Sequence, residues 1–186
     1  MKALDEALTA AAALATHPVS VVRATGHVEA GHAHLAAGRF AQAAEQLNLA
    51  LRDLRAASAG QALVAPALQQ VQGEFFLRTG EREKGRATLR ELVGLVRGLP
   101  GPDNWVQALF TLESITSAAR AAGDWEFAAW TARQMLEHDP NYAGSHYALA
   151  LAARQAGDVA TADREFAAAA RLWGQARSEE HTSELQ

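Results

Sequence analysis

The chain has 186 residues and a formal net charge of -4, with Lys and Arg interleaved among Asp and Glu and no cysteine. Without a basic stripe to neutralise phosphates, nucleic acid is excluded as an expected partner, and without cysteine so are disulfides and thiol chemistry. No apolar run approaches the roughly 20 residues that span a bilayer, and Asp5 and Glu6 fall where a secretory signal needs its apolar core, so the sequence as written reads as cytoplasmic.

Alanine and leucine dominate, and the β-branched and aromatic clusters that build strands are scarce, so helix is expected from end to end. In chain order, helices are predicted over 3–14, 19–37, 40–57, 62–79, 82–97, 105–122, 125–137, 142–156 and 159–173. The first, followed by Pro18, reads either as the second helix of a repeat whose first helix is missing or as a capping helix. The stretch from Gly98 through Pro100, Gly101 and Pro102 is the one clear loop, and Asp103 or Asn104 is expected to cap the helix after it. The tryptophans Trp105, Trp125, Trp130 and Trp173 all fall in the second half and are expected to fill interfaces between repeats.

Glycine spacing exposes an internal period. Gly73 and Gly80 follow Gly31 and Gly38 by 42 residues, Gly123 follows Gly80 by 43, and Gly157 follows Gly123 by 34. The text around Gly38, Gly80, Gly123 and Gly157 is alike in each copy: a helix ends at a glycine that accepts positive φ, and in the last two copies Asp124 or Asp158 caps the next helix. Four such corners make four helical hairpins, over about 18–57, 61–97, 104–138 and 141–173, preceded by a partial repeat at 2–15. The longer early period implies helices extended by about two turns.

Laid on these copies, the pattern W-x2-L-G-x2-Y with a later A-x3-F and a closing proline resembles the tetratricopeptide repeat. His146, Leu149, Ala150 and Ala153, then Ala162 and Phe166, carry it in the fourth copy. Leu112, Ile115, Thr116, Ala119, Ala128, Ala132 and Pro140 carry it in the third; Gln69, Gln72, Gly73, Phe76, Gly85 and Leu89 in the second; His27, Ala30, Gly31, His34, Ala43 and Leu47 in the first. The resemblance covers about residues 18–173. It implies an all-α, right-handed superhelical solenoid of antiparallel helix hairpins whose first helices line a concave, protein- or peptide-binding groove. Gly31, Gly73, Ala128 and Ala162 are expected where paired helices approach most closely, with Phe40, Phe76, Trp125 and Phe166 packed between turns. The last ten residues, Arg177 to Gln186, abandon this composition and resemble the in-frame translation of a short-read sequencing adapter, so native sequence is expected to end at about Ala176.

Chemistry is not legible. There is no nucleophile elbow, phosphate-cradling glycine loop or HExxH, so neither an enzyme nor a cofactor is expected. His27, His32 and His34 lie close in sequence, but His32 and His34 are two apart and point to nearly opposite sides of a helix, and no carboxylate is expected at close range, so no metal is assigned.

Transferring the family's inward face copy by copy selects His32, then Gln70, Glu74 and Arg78, then Glu113, Ser117 and Arg120, then Tyr147 and Arg154 as groove residues. Arg120 and Arg154 are equivalent positions one repeat apart and could hold a partner carboxylate, with Tyr147 as a rigid amphipathic contact. The expected function is a binding scaffold whose partner is another protein or peptide, as a segment of a longer bacterial repeat protein; the alternatives are the regulatory repeat region of a multidomain transcriptional regulator or kinase, and an envelope-associated repeat protein.

Overall fold

The computed structural model describes residues 2–183, with side chains through residue 176. It is all-helical: α1 (Lys2–Ala15), α2 (Ser20–Ala36), α3 (Phe40–Ala56), α4 (Gln61–Arg78), α5 (Arg82–Gly98), α6 (Pro102–Ala121), α7 (Trp125–His138), α8 (Ala143–Gln155) and α9 (Val159–Ser183), with no strand among the described residues. The chain divides into two compact units, Met1–Leu92 and Val93–Gln186, with the boundary inside α5.

The four corners are built alike. Gly38, Gly80, Gly123 and Gly157 all have positive φ, between 69° and 92°. At each, the residue after the glycine donates its N–H five residues back: Arg39 to His34, Glu81 to Phe76, Asp124 to Ala119 and Asp158 to Ala153, at 2.8–2.9 Å. This is a Schellman closure, which satisfies carbonyls left open at the helix end. Asp124 and Asp158 then accept the N–H of Phe127 (3.2 Å) and Thr161 (3.0 Å), capping α7 and α9 as expected. The loop between α5 and α6 behaves differently. Pro102 opens α6 three residues before the predicted start, because its fixed φ and missing N–H suit a first turn. Asp103 and Asn104 therefore lie inside that turn, and Asn104 donates to the Pro100 carbonyl (2.7 Å) in place of capping.

In the first unit, Ala24, Val28 and Leu35 of α2, Ala43, Leu47 and Ala50 of α3, and Val64, Leu68 and Val71 of α4 form one buried cluster. A Cβ on Gly73 would collide with the Leu89 side chain, and one on Gly85 would come within 2.9 Å of the Gly73 carbonyl, so the α4–α5 hairpin needs both glycines. The second unit buries Leu112, Ile115 and Ala119 of α6 with Phe127, Ala128 and Met135 of α7, followed by Ala150 of α8 and Ala162 and Ala169 of α9. The helices of the early hairpins run 17–18 residues against 14 and 13 for α7 and α8. The extra two turns of the early period are thus shared between both helices of a hairpin, about one turn each, while α6 runs 20 residues.

The tryptophans correct a second expectation. Trp105 and Trp173 are 41% and 45% exposed, while Trp130 stacks on Phe127 at 5.3 Å. Phe40 too is 38% exposed. Alanines and leucines fill the seams instead, since closely approaching helices leave no volume for an indole. At the chain end, α9 continues past the predicted limit of 173 to Ser183. Residues 184–186, and every side chain of the adapter-like stretch from 177 on, lie outside the described residues.

Candidate binding face of the first helices

In the first unit, Gln70, Glu74 and Arg78 recur every four residues and so share one stripe of α4, which faces α2. Gln70 Nε2 donates to Glu74 Oε1 at 3.0 Å, and His32 Nε2, from α2, lies 3.9 Å from Glu74 Oε2. Glu74 is 5% exposed. Arg78 donates to the Leu35 carbonyl and lies 5.4 Å over the Phe40 ring. The four sequence-selected residues are thus gathered in one place, the seam between two first helices, where they satisfy one another and a helix-end carbonyl.

The second unit differs. On α6, Glu113, Ser117 and Arg120 lie three to four residues apart on one stripe, and Glu113 accepts a hydrogen bond from the Tyr142 hydroxyl at 2.8 Å. Burial, then the Glu113 hydrogen bond and charge, push the Tyr142 phenol up to about 12. Arg120 is half-buried and Arg154 exposed, and neither makes a hydrogen bond or ion pair among the described residues. Tyr147 on α8 is 40% exposed and packs against Phe166 and Trp173 of α9, with ring centroids 5.9 and 5.6 Å away. Sequence reasoning missed Phe110, 58% exposed and three residues before Glu113 on the same stripe. The available signal was an aromatic residue at the head of an otherwise polar stripe.

The fold has solved counterparts. The chain is 16% identical to the crystal structure of BtubC (BKLC) from P. vanneervenii, with a TM-score of 0.63 over 94% of this chain and 72% of that one. It is 12% identical to the crystal structure of MamA, with a TM-score of 0.55 over 83% of this chain and 81% of that one. The fold is tetratricopeptide-like. At such identities the likeness is one of architecture alone. No family model matches the chain, and no curated protein matches it.

Within this tetratricopeptide-like fold, the first family position of three copies carries a polar side chain that bonds across its hairpin to a residue 19 further on. His27 Nδ1 lies 2.8 Å from Gln46 Oε1, Gln69 Nε2 donates to the Thr88 carbonyl at 3.2 Å, and His146 Nδ1 lies 2.8 Å from Glu165 Oε2. The third copy replaces this latch with a buried hydroxyl pair, Thr116 and Thr131, at 2.8 Å. These groups fasten helices.

His27 also carries a correction, because Asp53 of α3 brings a carboxylate within 3.5 Å of its Nε2 where none was expected. Asp53 is held at 3.0 and 3.3 Å by the Arg23 guanidinium, a two-point pair that uses its charge. His34 keeps a buried Nδ1 with no hydrogen-bond partner among the described residues. Burial, followed by the charge of Arg39, lowers its affinity for a proton. Among the described residues no three His, Asp or Glu side chains converge as a metal site.

Proposed function

We propose that this protein is a binding scaffold and not an enzyme, and that it engages an acidic segment of another protein on the α6 and α8 face of its second unit. The observation that carries the reading is the pair Arg120 and Arg154. They occupy equivalent places in successive hairpins, in the last turns of α6 and α8, and have no internal partner among the described residues. The other polar groups selected from the sequence on α4 are engaged within the chain, whereas these two guanidinium forks keep all their donors for a carboxylate. Phe110 and Tyr147 supply exposed aromatic surface on the same two helices, the residue types that dominate the energetics of interfaces.

Selection of random peptides displayed on phage against the full chain tests this. Binders enriched in Asp and Glu are expected, weakened at least tenfold by Arg120→Glu with Arg154→Glu, and weakened also by Phe110→Ala. Peptides without acidic residues, or acidic ones indifferent to both arginines, would sink the reading.

A further inference from the structure

A second surface lies on the far side of α8. An open groove of about 650 Å³ runs between α7 and the start of α9, wholly within the second unit. Its floor is alanine, from Ala129, Ala152 and Ala153, and its apolar walls are Trp125, Leu136 and Leu149. With a helical turn of 3.6 residues, Leu149, Ala152 and Ala156 of α8, which line it, point roughly opposite to Tyr147 and Arg154, so it is separate from the face proposed above. Short alanine side chains give the groove its depth; leucines at those positions would fill it.

The charges around this groove are unequal in their engagement. Asp158 caps α9, Arg164 donates to Glu165 at 3.1 and 3.2 Å, Glu165 also meets His146, and Glu126 has a partner within the chain. Arg133 is exposed, lines the groove, and makes no hydrogen bond or ion pair among the described residues. It lies eight residues beyond Trp125, about 12 Å along α7 at the rise of a helix. Of the lining acids, Asp158 is engaged in its cap and Glu165 by His146 and Arg164, while Glu126 adjoins Trp125, so Arg133 is the lining charge left to attract an anion.

We propose that this groove binds a free single-chain carboxylate, an alkyl acid of medium length. The chain lies on the alanine floor toward Trp125, where its apolar surface leaves water. The carboxylate pairs with the Arg133 guanidinium in two-point geometry. The volume is that of a small-ligand site, with apolar surface along its floor and Arg133 as the charged group that has no partner among the described residues. A stable protein interface buries roughly 800 Å² on each side, whereas about 650 Å³ is the size of a small-ligand site.

Titration of the full chain with sodium decanoate below its aggregation concentration, followed by calorimetry, tests the assignment. Saturable one-to-one binding is expected, at least tenfold weaker in Arg133→Gln, lost in Ala153→Trp, and unchanged in Arg154→Gln. Uncharged decanol should bind wild type and Arg133→Gln alike. Absence of saturable binding overturns the proposal, as does decanoate binding that Arg133→Gln leaves intact. Should Ala153→Trp fail to fold by circular dichroism, the contrast between decanoate and decanol at Arg133 still decides. Capture of an acidic amphipathic peptide by the same residues, with decanoate excluded, would also overturn it.

Discussion

Gly26 lies where α1 crosses α2, and a Cβ there would stand 2.5 Å from the Ala15 nitrogen and 2.7 Å from the Ala11 carbonyl oxygen. Both are backbone atoms, which cannot turn aside as a side chain can. Gly26→Ala is therefore expected to displace α1 at a cost of about 1–3 kcal/mol, read as a lowered denaturation midpoint. An unchanged midpoint would mean that α1 adjusts freely. Tyr142 makes a pH argument at the same scale. Its folded phenol holds a proton up to about 12, against an ordinary value near 10. The stability this contributes is fully present below about pH 10 and is lost as pH rises toward 12. Glu113→Gln, in a Tyr147→Phe background, should lower the tyrosinate titration followed by ultraviolet absorbance. No change would remove Glu113 as a cause. Neither contact is legible in the sequence, where Gly26 is only the neighbour of a histidine and Tyr142 falls at a predicted helix start.

Helix pairs in this molecule are joined by small residues and a few cross-helix polar bonds. Among these, Arg23 with Asp53 joins α2 to α3 at two points while the same guanidinium donates to the carbonyls of His17 (3.1 Å) and Pro18 (2.9 Å), tying down the connection from α1. Asp53 is 4% exposed, so Asp53→Ala leaves a partly buried cation without its counter-ion. A loss of about 3 kcal/mol is expected in chemical denaturation. A change below about 0.5 kcal/mol would place the pair among surface ion pairs of little worth. The corners that end these elements were readable because glycine at positive φ and a following Asp act locally. The bond from Arg23 to Asp53 spans 30 residues, and no local pattern announces it.

Of the residues selected from the sequence, those on α4 are engaged within the chain, whereas Arg120 and Arg154 of the second unit have no hydrogen-bond or ion-pair partner among the described residues. Arg120 and Arg154 make no hydrogen bond or ion pair among the described residues that their removal would break, so Arg120→Glu with Arg154→Glu should alter thermal stability by no more than about 0.5 kcal/mol while removing affinity for acidic peptides. The wild-type affinity should also fall as salt rises from low to physiological strength, since exposed charges are screened over about 8–10 Å. Salt-independent binding would point to Phe110 and Tyr147 as the whole of the contact. Glu74, buried in the α2–α4 seam, is expected to behave in the opposite way: replacing it costs stability and leaves peptide binding unchanged.

Period, helix content, corner chemistry and the small residues that recur within the hairpins were all determined by sequence alone, because each rests on interactions within a few residues or on a repeat that recurs along the chain. The nine candidate groove positions came from transferring the resembled family's inward face copy by copy, yet such a transfer says only which stripe of a helix a residue occupies. Whether the stripe meets another helix or open solvent depends on how neighbouring hairpins pack. That packing turned Gln70, Glu74 and Arg78 inward against α2, left Arg120 and Arg154 unengaged, exposed Phe110, and opened an alanine-floored groove behind α8. These are matters of distance between segments remote in sequence, and only the tertiary structure decides them.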